Sequence, residues 1–179
     1  VQPERQADGQ IVYSASNPDE GAFIYAAAHF GHRFLRREGK DVEGTEDAEE
    51  VTFQILHSFA FTSDRKRSSV IVRRRRTRSE GSAEGGGSAE RSGGGGGGEG
   101  VVLYCKGADN VILERLDKEK NSRELVDKIK ANIAEFTQDG LRTLMAAKVE
   151  ISEKRYKRWL KVFREAEASV QDREAKVGA

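Results

Sequence analysis

Cysteine is nearly absent from this 179-residue chain. Cys105 stands alone, which excludes an internal disulfide and fits a reducing compartment. Long apolar runs are missing too: no stretch approaches the roughly 20 residues a membrane-spanning helix needs. The segment Val1-Gln2-Pro3-Glu4-Arg5 lacks the basic and apolar regions of a signal peptide. His29, His32 and His57 have no ligand spacing with Cys or acidic partners, so nothing supports a structural metal site. A net charge of +1 argues against a globally polybasic nucleic-acid binder.

What is present is the composition of a soluble globular protein, 36% hydrophobic and 34% charged, long enough to bury a core. A single domain over residues 1–179 is expected, its core spanning about 11–175. The balanced charge hides one asymmetric run, Arg73-Arg74-Arg75-Arg76-Thr77-Arg78. Just beyond it, residues 77–100 hold 11 of the 19 glycines and almost no apolar side chains. This composition predicts a disordered loop. The run Gly93 to Gly98 lacks the spacing of a phosphate-binding glycine loop and precedes a strand, so it reads as a tether.

Periodicity outlines the remainder. Asn17 reads as an N-cap with Pro18 first and Glu20 third in a helix, and Phe23, Ala26, Ala27 and Phe30 recur as a buried face until Gly31. Val51, Phe53, Ile55, Phe59 and Phe61 follow period two, which predicts a strand over residues 51–61 ending at Phe61. Strands are also expected from Arg67 to about Arg74 and from Val101 to Cys105, forming a hairpin with residues 77–100 as its tip. Cys105 is read as a small buried strand residue. Ser122 caps a helix with Leu125, Ile129, Ile133 and Phe136 on one face, closed by Gly140, and a strand is expected from Leu141. Ser152 opens a last helix with Tyr156, Trp159, Leu160 and Phe163 facing the core. The pattern is that of an α+β fold, helices packed on an antiparallel sheet.

Four segments carry groups suited to a nucleotide: Asn17-Pro18-Asp19-Glu20-Gly21-Ala22, Phe59 to Arg67, Lys106-Gly107-Ala108-Asp109, and Gly140-Leu141-Arg142-Thr143-Leu144. Phe61, at the end of an apolar strand, is either a core aromatic or a ring on which a base stacks. Lys106 is a solvated strand end or a point charge for phosphates, with Gly107 allowing the backbone to approach. Arg142 is a surface arginine or a bidentate phosphate fork. Glu20 is a capping-box carboxylate or an acceptor for an amino group on a base.

In this order the four segments resemble the nucleotide-binding domain of P-type ATPases, and Tyr13-Ser14-Ala15-Ser16-Asn17-Pro18-Asp19-Glu20 is similar to the lipid-flippase branch, the likeness running from about Tyr13 to about Arg173. The resemblance implies that adenine stacks on Phe61. It implies nucleotide contacts from Ser63, Lys66, Lys106 and Gly107, with Glu20 at the adenine edge and Arg142 and Thr143 on the phosphates. Ser68 departs from the Met or Cys usual there, where a soft side chain helps pack the base. The family's Asp-Lys-Thr-Gly acceptor motif is missing from this chain. The implied role is therefore an ATP-holding domain, catalytically inactive by itself, serving an aspartate on a separate phosphorylation domain beside an actuator domain. The implied parent is a phospholipid translocase at the cytoplasmic face of a membrane. An accessory membrane subunit accompanies it, and Mg²⁺ enters with ATP, liganded mainly outside this chain. The alternative reading is an Arg-rich module binding nucleic acid, anionic lipid or an acidic partner through Arg73 to Arg78. A third reading is regulation, with Thr77 or Ser79 beside the arginines as a phosphorylation site.

Overall fold

A computed structural model describes residues 1–15, 17–76 and 100–168. In chain order the elements are β1 (Gln2–Arg5), β2 (Ile11–Ser14), α1 (Pro18–His29), β3 (Arg33–Glu38), β4 (Asp41–Glu46), β5 (Glu49–Phe59), β6 (Arg67–Arg76), β7 (Gly100–Gly107), α2 (Asp109–Leu113), α3 (Arg123–Gln138), β8 (Met145–Ile151) and α4 (Glu153–Ala168). Strand β1 pairs with β2, and the others hydrogen-bond in the order β3-β4-β5-β6-β7-β8, antiparallel as the α+β reading requires. Of the disordered loop expected at residues 77–100, residues 77–99, with Thr77 and Ser79, lie outside the described residues, whereas Gly100 is the first residue of β7. Contacts divide the described chain into two compact units, one drawn from Val1–Leu56 and Arg73–Gly100, the other from His57–Val72 and Val101–Ala179.

In the first unit, Tyr13 organises the packing. Its hydroxyl donates to the Phe34 carbonyl at 2.9 Å, and its ring stacks on Phe34 at 6.3 Å and meets Tyr25 edge-on at 5.5 Å, which ties β2, β3 and α1 together. Helix α1 begins as expected, with the Asn17 side chain accepting from Asp19 N and Pro18 in the first turn. Its apolar face is not buried as expected: no residue of α1 is buried, Phe23 is 41% exposed, and Phe30, at 72% exposed, is the C-cap. Val51 is the buried anchor of this unit. Two arginines of the run are engaged within β6: Arg74 pairs with Glu46, half-buried on both sides, and Arg75 donates to Gln54 Oε1 at 3.3 Å. Interlocked side chains of this kind make a poor free basic surface.

In the second unit, β7 and β8 run antiparallel from Val101 opposite Ile151 to Gly107 opposite Met145. Its core gathers Ile71, Val72, Val101, Val102, Ile112, Met145, Tyr156 and Ala166. Helix α4 sets Tyr156, Trp159 and Phe163 around His57 and Phe59, with Trp159 and Phe163 stacked at 4.9 Å and His57 Nε2 3.2 Å from the Tyr156 hydroxyl. Phe59 therefore takes the core place at the end of β5. Phe61, expected to end that strand, lies two residues beyond it and is 61% exposed. Ser122 and Gly140 bound α3 as expected: the Ser122 hydroxyl accepts from Leu125 N. At the other end Gly140 N donates to Thr137 O and Leu141 N to Phe136 O, with Gly140 at φ +73°. Leu125 and Phe136 stay nearly half exposed. The strand expected from Leu141 starts only at Met145, which leaves Arg142 and Thr143 in the connection.

The β4–β5 hairpin turns on Asp47 and Ala48, at φ 51° and 69°, between the paired residues Glu46 and Glu49. Two left-handed residues in a two-residue loop favour Asn-Gly or Asp-Gly, and alanine pays a steric penalty there of about 1 kcal/mol. Ala48→Gly is expected to raise stability by about 0.5–1 kcal/mol, read as a higher urea midpoint with an unchanged slope; a lower midpoint contradicts the turn geometry.

Candidate functional site

The segment after β5 is a compact turn built by its own hydrogen bonds. Lys66 N donates to Thr62 O at 2.8 Å and Arg65 N to Thr62 Oγ1 at 3.3 Å, while Arg65 Nη1 reaches back to Ala60 O at 3.1 Å. Lys66 closes the turn at φ 49°, a left-handed conformation that non-glycine residues adopt rarely. Phe61, Ser63 and Lys66 are all exposed on this turn.

The turn is fastened to the end of β7. The Lys66 carbonyl accepts from Ala108 N at 3.1 Å. A Cβ at Gly107 would lie 2.5 Å from that carbonyl oxygen and 2.7 Å from Arg67 Cβ, so only glycine leaves room for the approach. Strand β7, expected to span Val101 to Cys105, runs on through Lys106 and Gly107, and the short helix α2 begins at Asp109. Arg142 and Thr143 lead into Met145, the register partner of Gly107, and so enter β8 at the strand end where β7 leaves. Arg142 is exposed and Thr143 half-buried. The sequence motifs from residues 61–66, 106–107 and 142–143 are thus brought to one end of one unit. Glu20, half-buried in the first turn of α1, belongs to the other unit.

Beside this end lies a cavity of about 500 Å³. Small side chains leave it open: Ser58, Ala60, Ser68 and Ala146 line it together with Tyr104, Lys106 and Lys148. Register explains the grouping, because Lys106 pairs with Ala146 and Tyr104 with Lys148, and alternate residues share a face. Two lysines and no carboxylate line the cavity, so it is apolar and cationic. Of the candidate nucleotide-contacting residues, Lys106 lines it; Phe61 does not, but directly follows Ala60, which does. Sequence reasoning missed Ser58, Ala60, Tyr104, Ala146 and Lys148; the period-two rule applied outward from Lys106 would have found Tyr104. Ser68, noted as a departure from the family pattern, is part of the lining.

Positive charge extends past the cavity. The Arg67 guanidinium holds its proton less tightly than an ordinary arginine, chiefly because burial strips it of water, then because Arg115 and Arg65 repel it. Arg67 Nη1 donates to Arg65 O at 3.2 Å. Cys105 is half-buried, its sulfur 3.4 Å from the Ser69 hydroxyl that donates to it. Among the described residues no group of three or more His, Cys, Asp or Glu is placed to hold a metal ion, and no helix is long and apolar enough to cross a membrane.

The Gly107 contact gives a direct test. Gly107→Ala forces a methyl against backbone, and overpacking of this kind costs about 1–3 kcal/mol. Urea unfolding is expected to show that loss, and Gly21→Ala, whose added Cβ meets only Ala15 at an ordinary 3.7 Å, is expected to show none. Equal behaviour of the two variants would contradict the packing.

Comparison with known proteins places this geometry in a family. The chain is 36% identical over 179 residues to phospholipid-transporting ATPase DRS2 of Saccharomyces cerevisiae, covering 99% of this chain and 11% of that protein. It is 32% identical over 180 residues to phospholipid-transporting ATPase ID of Homo sapiens, covering 100% of this chain and 13% of the relative. To phospholipid-transporting ATPase DNF2 of Saccharomyces cerevisiae it is 29% identical over 174 residues, 97% of this chain and 10% of the relative. The chain thus spans about a tenth of the length of these relatives. The family model described as P-type ATPase, cytoplasmic domain N matches residues 4–176, and with nearly the whole chain accounted for, the protein belongs to the cytoplasmic N domains of the P-type ATPases.

Proposed function

We propose that this chain holds ATP by its adenine and presents the γ-phosphate to an aspartate on another domain of a phospholipid-translocating P-type ATPase. One observation carries the reading: Phe61 keeps a 61% exposed ring on a hydrogen-bonded turn and directly follows Ala60, which lines an open, apolar, cationic cavity. An aromatic ring left in water is a standing platform for a base, and such stacking contributes about 1–3 kcal/mol in single-stranded nucleic-acid binders.

In this reading adenine lies against Phe61 and enters the cavity over Ser68 and Ala146. Lys106 supplies a charge at the cavity wall, and Ser63 and Lys66 approach the nucleotide from the turn. Gly107 keeps the turn close. Arg142 offers a planar fork to the phosphates with Thr143 beside it. Glu20 takes the exocyclic amino group of adenine by the family pattern alone. The cavity's donor set fits a polyanion and not a bare cation, so Mg²⁺ arrives with ATP and finds its protein ligands elsewhere in the parent. Magnesium there supplies charge neutralisation of the phosphates; this chain's part is to bind and orient.

The relatives' names support a parent that uses ATP to move phospholipid; in our reading this chain lies on its cytoplasmic side beside phosphorylation and actuator domains, with an accessory membrane subunit as partner. Nucleic acid is not an expected ligand. Among the described residues, Arg74 is engaged with Glu46 and Arg75 with Gln54, which weighs against the alternative role for these two arginines.

Binding is expected to be weak, with a Kd of about 0.1–5 mM, or about 3–5.5 kcal/mol, because the site grips one face of a base. ATP is expected to bind more tightly than GTP. Phe61→Ala is expected to weaken ATP about tenfold or more, within the stacking range, with an unchanged thermal midpoint since the ring is exposed. A folded Phe61→Ala protein that titrates like the parent chain would contradict the stacking role. Lys66→Gly separates side chain from backbone: glycine accepts φ 49° freely, so stability is expected to change by no more than about 1 kcal/mol while ATP affinity falls. Unaltered affinity would remove Lys66 from the site.

A further inference from the structure

Phe61 lies outside any strand, so the direction of its ring depends on the backbone of its turn. Both neighbours of Phe61 are tied to one residue. Arg65 Nη1 donates to Ala60 O at 3.1 Å, and Arg65 N donates to Thr62 Oγ1 at 3.3 Å. The guanidinium is fixed from a further side, its central carbon 5.7 Å from the centre of the Phe59 ring, which is itself clamped by Trp159 and Phe163. Arg65 Nε is buried without a hydrogen-bond partner, a cost the fold accepts to hold the side chain inward. The Arg65 carbonyl also accepts from Arg67 Nη1 at 3.2 Å, so the residue is held at both backbone and side chain.

Building on the reading of Phe61 as the adenine platform, we propose that Arg65 is a positioning residue for that platform: it couples the Phe59 aromatic cluster to Ala60 and Thr62 and so sets the presentation of the Phe61 ring. Its Nη1 is committed to Ala60 O and its guanidinium carbon lies over the Phe59 ring, so in this proposal the nucleotide feels Arg65 through Phe61 and not through a direct phosphate contact. A lysine does not substitute, since a single ammonium on a flexible stem cannot place a delocalised cation over a ring and donate from a fixed fork at once.

The test is a double-mutant cycle on the 179-residue chain with Arg65→Gln, Phe61→Ala and the double variant. Each is titrated with ATP by amide-shift NMR, so that millimolar affinities remain measurable, and melted in parallel. Arg65→Gln is expected to weaken ATP about 3- to 10-fold when Phe61 is present and less than about 1.5-fold when it is Ala, the non-additivity of residues acting as one unit. Arg65→Lys is expected to recover less than half of the loss; full recovery would mean that charge alone matters and would overturn the proposal. Equal losses in both backgrounds, or no loss in either, would overturn it while leaving the adenine reading intact. A titration unmoved by Phe61→Ala alone would overturn both. If Arg65→Gln does not fold, Arg65→Lys takes its place in the cycle with the same criteria.

Discussion

The contact between the Lys66 carbonyl and Gly107 is the constraint on which the site depends. Two backbone segments approach so closely that a single methyl would collide with both a carbonyl oxygen and Arg67 Cβ. The gain is a hydrogen bond to Ala108 N at 3.1 Å that seals the end of β7 to the turn after β5. Lys66 adopts a left-handed backbone to make it, a conformation costing roughly 1 kcal/mol for a residue with a Cβ. Such strain is tolerated because the surrounding bonds over-determine it: Lys66 N and O are both used, and Thr62 is used twice. Exposed side chains on this turn inherit its rigidity.

Chemistry at that end follows from what the neighbouring strands place there. Small residues from β6 and β8 leave space where larger ones would fill it, and the alternation of β7 and β8 sets Tyr104, Lys106 and Lys148 around the opening. Charge without a neutralising carboxylate in the lining favours an anionic ligand, and apolar walls favour a flat ring. Ser68, in place of a soft, larger side chain, leaves this part of the cavity wall small and polar.

Helix caps and apolar periods were legible in the sequence because they report local physics. Asn17, Ser122, Gly140 and Ser152 act where their chemistry places them, and Tyr156, Trp159 and Phe163 pack as the helical stripe demands. Strands β1 to β4 were not legible. Arg33–Glu38 and Asp41–Glu46 are charged on both faces, so no alternation marks them, and they form because turns at Gly39 and at Asp47-Ala48 fold them onto β5. Phe61 misled for a related reason: period two continues from Phe59 to Phe61, but the Thr62–Lys66 turn has already captured the chain, and Arg65 holds Ala60 out of the ladder. For the site, four motifs in the right order were enough to identify the family, whereas beyond Tyr104, which period two from Lys106 reaches, Ala146 and Lys148 join the lining through cross-strand register, which no local pattern encodes.

The central claim is that the turn around Phe61 and the end of β7 form one adenine-nucleotide site. It is tested most directly by mapping ATP-induced amide shifts across the uniformly labelled chain. The expected result is a set of largest shifts confined to Phe61–Lys66, Lys106–Ala108 and Arg142–Thr143, weaker with GTP. Largest shifts at Arg73–Arg75, or none at Phe61 and Lys106 under saturating ATP, would contradict it.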